Sequence, residues 1–250
     1  MTEETGLRGL FPQRAPLPNT VEAPNDDAEI RDAYFQEERE RLRSWEAASR
    51  DAIWEAIPSR FRDMRLAGSP VLRDNPSLAE LVHPSKDSWF FWGDYGVGKT
   101  ALAVGLAWEY LQGLQVGRYT MTSIVFKTAP AMLSHFRSTY NRGAEETEMD
   151  VLQTYTNCGA LLILDDMGAE QVKGTGWVED RLYQVIGERH DQEAVTIFTS
   201  NLELDQLANR IGERICWRIL EMAGKDHIIL VEGPNLRERV QLWMIEYRAM

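Results

Sequence analysis

Gly93 and Gly98 stand five residues apart in the run GDYGVGKT, and Lys99 and Thr100 follow the second glycine at once. Glycines at that spacing let a loop wrap so that successive backbone N–H groups face one anion. A lysine at the loop's end can reach the β- and γ-phosphates of a nucleoside triphosphate, and the adjacent hydroxyl can bind Mg²⁺. ATP contacts are therefore expected from Gly93, Asp94, Tyr95, Gly96, Val97, Gly98, Lys99, Thr100 and Ala101, mainly through the backbone. The Asp94 carboxylate is tolerable beside phosphate only if it points outward.

A second group of residues bears on what the phosphate is for. The apolar run LLIL ends in Asp165 and Asp166. A strand of that kind delivers its carboxylates to its C-terminal end, where ligands sit in open α/β sheets. Asp165 is expected to hold Mg²⁺ through water, and Asp166 to polarise the attacking water. An Asp-Asp turn without chemistry is the bland alternative. Next, TIFTSN places Asn201 at a strand tip, where it can touch both γ-phosphate and water or simply cap the following helix. In GERICWR, Arg214 and Arg218 lie four apart on one helix face. Such arginines are commonly just solvated, but in an oligomeric ATPase one can reach a neighbouring subunit's γ-phosphate. Arg218 is the candidate for that role and Arg214 its partner.

These residues need elements to position them. Strands are expected at 88–92, 123–127, 161–165, 194–199 and 227–231. Helices are expected at 99–112, 130–140, 147–156, 177–192, 204–223 (one or two) and 234–248. Strands alternating with helices imply a doubly wound α/β fold, a five-stranded parallel sheet with helices on both faces. The third strand is apolar throughout, as befits a parallel strand covered on both sides. One strand falls between the phosphate loop and the Asp pair in sequence, the arrangement of phosphate-loop ATPases that use a catalytic acid. Ahead of this domain, prolines among polar residues at 1–25 read as a disordered tail. The stretch 26–66 reads as a helical extension, with Trp45, Ile53, Trp54 and Ile57 among its charges. The ATPase domain is expected over 67–250, entered through a loop-rich linker.

Composition narrows the function classes. A net charge of −12 argues against a general polyanion binder, so any nucleic-acid contact needs a local basic surface. The chain opens without a signal-peptide pattern and has no apolar run long enough to span a bilayer, so a cytoplasmic protein without membrane contact is expected. Two cysteines, Cys158 and Cys216, form no metal or disulfide framework and read as packing residues.

Together, GDYGVGKT, LLILDDMGAE, TSNL and GERICWRI resemble the DnaC/IstB-type AAA+ ATPases, replicative helicase loaders and transposition helpers. The resemblance covers about 57–240. It implies Lys99 and Thr100 as Walker A contacts, Asp165 and Asp166 as Walker B, Asn201 as sensor 1 and Arg218 as arginine finger. Arg237, in GPNLRER, stands where loaders carry a terminal arginine that contacts nucleotide. The resemblance also implies an ATP-dependent homo-oligomer without a full C-terminal lid, and an extension that grips a replicative DNA helicase. No cysteine precedes Cys158, which excludes the zinc-bearing form of that extension. Single-stranded DNA would lie along helices before Walker B, where Lys127, Phe136, Arg137, Tyr140 and Arg142 offer charge and stacking. Phe136 and Tyr140 could equally be one core face. The rival readings are a transposition helper that binds duplex DNA and engages a transposase, a small-molecule phosphotransferase, and an adaptor that never hydrolyses ATP.

Overall fold

The computed structural model describes residues 57–110, 115–116, 119–120, 123–157, 159–170 and 176–236. The tail, the extension up to residue 56, the expected helix at 234–248 from 237 onward, and Arg237 lie outside them.

Five parallel strands form the centre: β1 (Trp89–Trp92), β4 (Ser123–Thr128), β5 (Ala160–Met167), β6 (Thr196–Ser200) and β7 (Ile228–Leu230). Their order across the sheet is β4-β5-β6-β1-β7. Two short strands, β2 (Gln115–Val116) and β3 (Tyr119–Thr120), make a separate antiparallel pair that was not expected. In the main sheet β6 sits between β1 and β5, pairing Phe90 with Phe198 on one side and Ile163 with Ile197 on the other. The tip of β6 therefore lies between the ends of the strands that carry the phosphate loop and the Asp pair. All five residues of β6 are buried, as are the apolar residues of β5. The helices packed on the sheet account for this covering of both faces.

The phosphate loop leads into α3 (Lys99–Tyr110), preceded by two short helices, α1 (Pro70–Asp74) and α2 (Pro76–Leu81). These two replace the expected linker. Each starts with proline at its first position, after Ser69 and Asn75 respectively, where a missing N–H costs no helical hydrogen bond. The compact unit that bears the sheet begins at Ile57, ahead of the expected 67. Phe61 meets Phe126 of β4 at 6.4 Å, and the Arg65 guanidinium lies 4.3 Å from the Trp108 ring of α3. Residues 57–66 thus pack against the sheet-bearing unit.

Beyond β4 come α4 (Ala129–Ser138) and α5 (Glu148–Thr156). Thr128 caps α4 by accepting from the Ala131 N–H, and Thr147 and Asp150 form a reciprocal capping box on α5. The long α6 (Trp177–Asp191) follows β5. The expected span 204–223 is two helices, α7 (Leu204–Ile211) and α8 (Glu213–Ala223), broken at Gly212, whose φ of 105° suits glycine. Among the described residues no helix is long and apolar enough to cross a membrane.

Arg189 of α6 is 1% exposed and binds five oxygens: Thr196 Oγ1 and the carbonyls of Tyr155, Asn157, Ala160 and Val195. One guanidinium therefore joins the end of α5 to the starts of β5 and β6.

Candidate nucleotide site

Strand β1 ends at Trp92 and the chain turns through Gly93, Gly96 and Gly98, all at positive φ (142°, 79° and 101°). A side chain at Gly93 would strike the Val231 carbonyl, so glycine is required there by both conformation and space. The loop is braced from the far end of the domain: the Val231 N–H donates to the Trp92 carbonyl, and the Leu236 N–H to the Gly96 carbonyl at 2.9 Å. The Asp94 side chain is exposed and accepts from the Tyr95 N–H at 2.7 Å. A cleft of about 390 Å³ opens beside the loop, with Asn201, Leu230 and Glu232 among its walls.

The Lys99 ammonium donates to the carbonyls of Gly93 (2.9 Å) and Asp94 (2.7 Å) and to Asn201 Oδ1 (2.8 Å). Asn201 in turn donates from Nδ2 to Asp166 Oδ1 at 3.1 Å. Thr100 Oγ1 donates to Asp165 Oδ1 at 2.8 Å, and Thr199 Oγ1 donates to the same oxygen at 2.6 Å. The Thr199 hydroxyl also accepts from the Asp166 N–H at 2.9 Å. Residues from three adjacent strand ends and one helix start thus form a continuous polar network. Thr199 was not foreseen as a member. It sits in the TSN run, but its role depends on β6 lying beside β5, which the sequence does not spell out.

Strand β5 departs from regular register between Leu164 and Met167, and Asp166 adopts a left-handed φ of 59°. That conformation is uncommon outside glycine and tolerated by Asp. It turns the Asp166 side chain towards Asn201, while Asp165 faces Thr100. Two successive residues of a regular strand would point to opposite faces; the bulge puts both carboxylates to use.

Asp165 is buried, and burial is the main cause of its raised pKa. Hydrogen bonds from Thr199 and Thr100 oppose the rise, Asp166 adds to it, and Lys99 reduces it. A carboxyl whose folded pKa is raised holds its proton more tightly in the folded state. It therefore favours folding below its unfolded pKa and loses that contribution as pH rises through the folded value. Asp165→Asn keeps an acceptor for both hydroxyls and should raise the melting temperature at neutral pH without nucleotide. The gain should vanish in thermal melts taken below the normal carboxylate pKa, while Mg²⁺-dependent nucleotide binding is lost at every pH.

An oxygen pair from a hydroxyl and a carboxylate suits a hard divalent ion, so Thr100 and Asp165 fit Mg²⁺ as ligands or through its water. The loop amides and Lys99 fit a polyphosphate.

Arg218 lies elsewhere. Its guanidinium stacks 4.2 Å from the Tyr183 ring centre, and Nη2 donates to the Tyr183 hydroxyl at 2.9 Å. Any side chain at Gly187 would run into it, so that glycine leaves a notch on α6 for the arginine. Arg214 is exposed on the same helix, and Trp217 between them is 62% exposed.

The DNA candidates divide. Phe136 is fully buried in the core, which removes it as a base stacker. Tyr140 is 55% exposed and meets Trp177 edge-on at 6.3 Å, with Arg137 4.7 Å from the Trp177 ring. Trp177 Nε1 donates to the Tyr140 hydroxyl, which donates to Glu148. Lys127 is half-buried on β4 and Arg142 is exposed in the next loop; neither joins this cluster among the described contacts. Trp177 was missed because it is far from Tyr140 in sequence. Cys216 is buried, its thiol pushed up to about 12 by burial and, secondarily, by Asp205.

Fold and site together define a phosphate-loop ATP-binding protein of the AAA+ type. The family of IstB-like ATP binding proteins matches residues 77–242, and the chain belongs to that family. Among solved structures, the DnaC helicase loader is similar over 70% of this chain and 98% of its own, at 23% identity and a TM-score of 0.52. DnaI is similar over 72% and 94%, at 24% identity and a TM-score of 0.51. Domain III of the Thermotoga maritima replication initiation protein DnaA is similar over 75% of both chains, at 19% identity and a TM-score of 0.51. These three likenesses show the fold alone. No curated protein matches the chain.

Proposed function

We propose that this protein is an ATP-hydrolysing AAA+ switch of the helicase-loader type. The observation that carries the reading is the linked set Lys99–Asn201–Asp166 beside Thr100–Asp165–Thr199. Bound Mg²⁺ would supply charge neutralisation to the phosphates. Lys99 and the loop amides bind the nucleotide, with Arg237 as a further contact from the terminal segment. Thr100 and Asp165 orient the ion. Asp166 accepts a hydrogen bond from the attacking water, and Asn201 holds Asp166 in place. ADP and phosphate leave with the water's proton passed on through Asp166.

Arg218 is held against Tyr183 of α6 and, among the described contacts, bonds to none of Lys99, Thr100, Asp165, Asp166 and Asn201, which suits action on a neighbour's nucleotide. Arg214 lies one turn away as its companion. A homo-oligomer then forms around ATP and loosens on hydrolysis. Lys99→Ala and Arg218→Ala proteins should each be inactive alone, and their mixture should recover ATPase activity, because one supplies the intact site and the other the arginine. A mixture as inactive as its components rules out action in trans.

Tyr140, Trp177 and Arg137 make an aromatic and cationic surface suited to a single strand. Tyr140→Ala should weaken binding of a fluorescent oligothymidine by about tenfold, measured by anisotropy, the scale of one lost base stack. The extension, shortened to 26–56 because 57–66 pack on the sheet-bearing unit, would grip a replicative DNA helicase in the cytoplasm, and the switch would load or remodel it. Membership of the IstB-like family favours a second reading, a transposition helper acting on duplex DNA with a transposase. Capture from native cells with tagged Asp166→Asn protein and ATP, with Lys99→Ala as control, separates the two. A helicase retained only by the first supports loading; a transposase retained in its place supports transposition and overturns loading.

A further inference from the structure

The turn that follows Asp166 is closed by a buried carboxylate that the hydrolysis scheme does not use. Glu170 is 2% exposed, and both its oxygens accept from the Gly168 N–H, at 3.1 and 3.0 Å. The Ala169 N–H donates to the Asp166 carbonyl at 3.3 Å, and Asp166 and Gly168 both hold positive φ, 59° and 86°. Gly168 is packed against Leu202 and Leu207, so the turn is gripped on one side by apolar contacts and on the other by Glu170. Arg210, near the end of α7, donates from Nη2 to the Glu170 carbonyl at 3.3 Å. Past Gly212 the chain continues into α8, which carries Arg214 and Arg218.

A carboxylate removed from water at this spot is costly, because burial disfavours its charge. What it does is fix one amide of a tight turn whose first residue, Asp166, is the water-polarising group of the hydrolysis scheme. Asp tolerates the left-handed region better than most residues but still populates it sparsely, so contacts around the turn decide how firmly Asp166 is held there.

We propose that Glu170 is a positioning residue for hydrolysis: it locks the Asp166–Ala169 turn so that Asp166 faces Asn201, and Arg210 ties the arginine-bearing helices to that same turn. This rests on the ATPase reading above. The arrangement makes the orientation of Asp166 sensitive to movement of α7, and so to engagement of α8 by a neighbouring subunit.

The test compares Glu170→Leu with Glu170→Gln in the full chain, reading kcat and KM for ATP, affinity for a fluorescent ATP analogue, melting temperature, and exchange of the Gly168 amide by NMR. In Glu170→Leu, kcat should fall between about tenfold and a hundredfold, the scale of a roughly 1 Å misplacement. ATP affinity should stay within about threefold, because Lys99 and the loop are untouched. Glu170→Gln retains an acceptor for Gly168 and should recover most of kcat, with Gly168 exchange slow in Gln and fast in Leu. An unchanged kcat in Glu170→Leu, or loss of ATP affinity in step with kcat, overturns the proposal. Should Glu170→Leu not fold, Glu170→Asp, one methylene short of the Gly168 amide, takes its place. If the wild-type protein binds ATP but never hydrolyses it, the ATPase reading fails instead, and Gly168 exchange still decides whether Glu170 holds the turn.

Discussion

Asp166→Asn protein should bind ATP as well as the wild type and hydrolyse it about a hundredfold more slowly or worse, the usual contribution of a positioned base. The reasoning is geometric. Asn201 donates to Asp166 Oδ1, and an asparagine oxygen can accept the same bond, so the network survives. What is lost is a negative charge to draw the proton from water. Single-turnover hydrolysis, with analogue binding measured in parallel, checks both halves. Lys99→Ala should give the opposite pattern, with binding itself lost, because its ammonium is the cation that joins the loop carbonyls to Asn201. Equal loss of binding in both variants would mean that Asp166 is part of the binding surface.

Arg189→Leu should have the largest effect on stability. It removes a donor from the Thr196 hydroxyl and from the buried carbonyls of Tyr155, Ala160 and Val195, while the part-buried Asn157 carbonyl keeps the Ala160 N–H. Unsatisfied buried groups of this kind, with loss of a buried cation, cost on the order of 3–5 kcal/mol. For a domain of this size that is a drop of roughly 10 °C in melting temperature. Arg189→Lys keeps the charge but not the fork of donors and should fall between the two. A melting temperature within a degree or two of wild type in Arg189→Leu would show that water replaces the guanidinium.

The parts of the site that were legible in the sequence are those whose chemistry is local. GDYGVGKT and LLILDD each carry their function in contiguous residues, so Lys99, Thr100, Asp165 and Asp166 could be named together. Asn201 followed from its place at a strand tip. The sheet was legible because apolar runs alternate with helical periodicity. The helices at 70–74 and 76–81 were not, since Ser-Pro and Asn-Pro read as loop breakers unless the proline is seen to occupy the first helical turn. Phe136 and Tyr140 share a helical spacing, and only packing shows that one is core and the other surface. Trp177, Glu170 and Arg189 owe their roles to partners brought by the fold from elsewhere in the chain. No periodicity marks such residues.

The bond from the Leu236 amide to the Gly96 carbonyl has a consequence for how the protein is made. The phosphate loop is synthesised well before its brace at Leu236. Non-local contacts of this kind close late, because the loop entropy must be spent before they reward it. A nascent or truncated chain ending before residue 236 would carry the complete GDYGVGKT signature with its loop unbraced. Such a chain should hold nucleotide less firmly than one that includes Leu236.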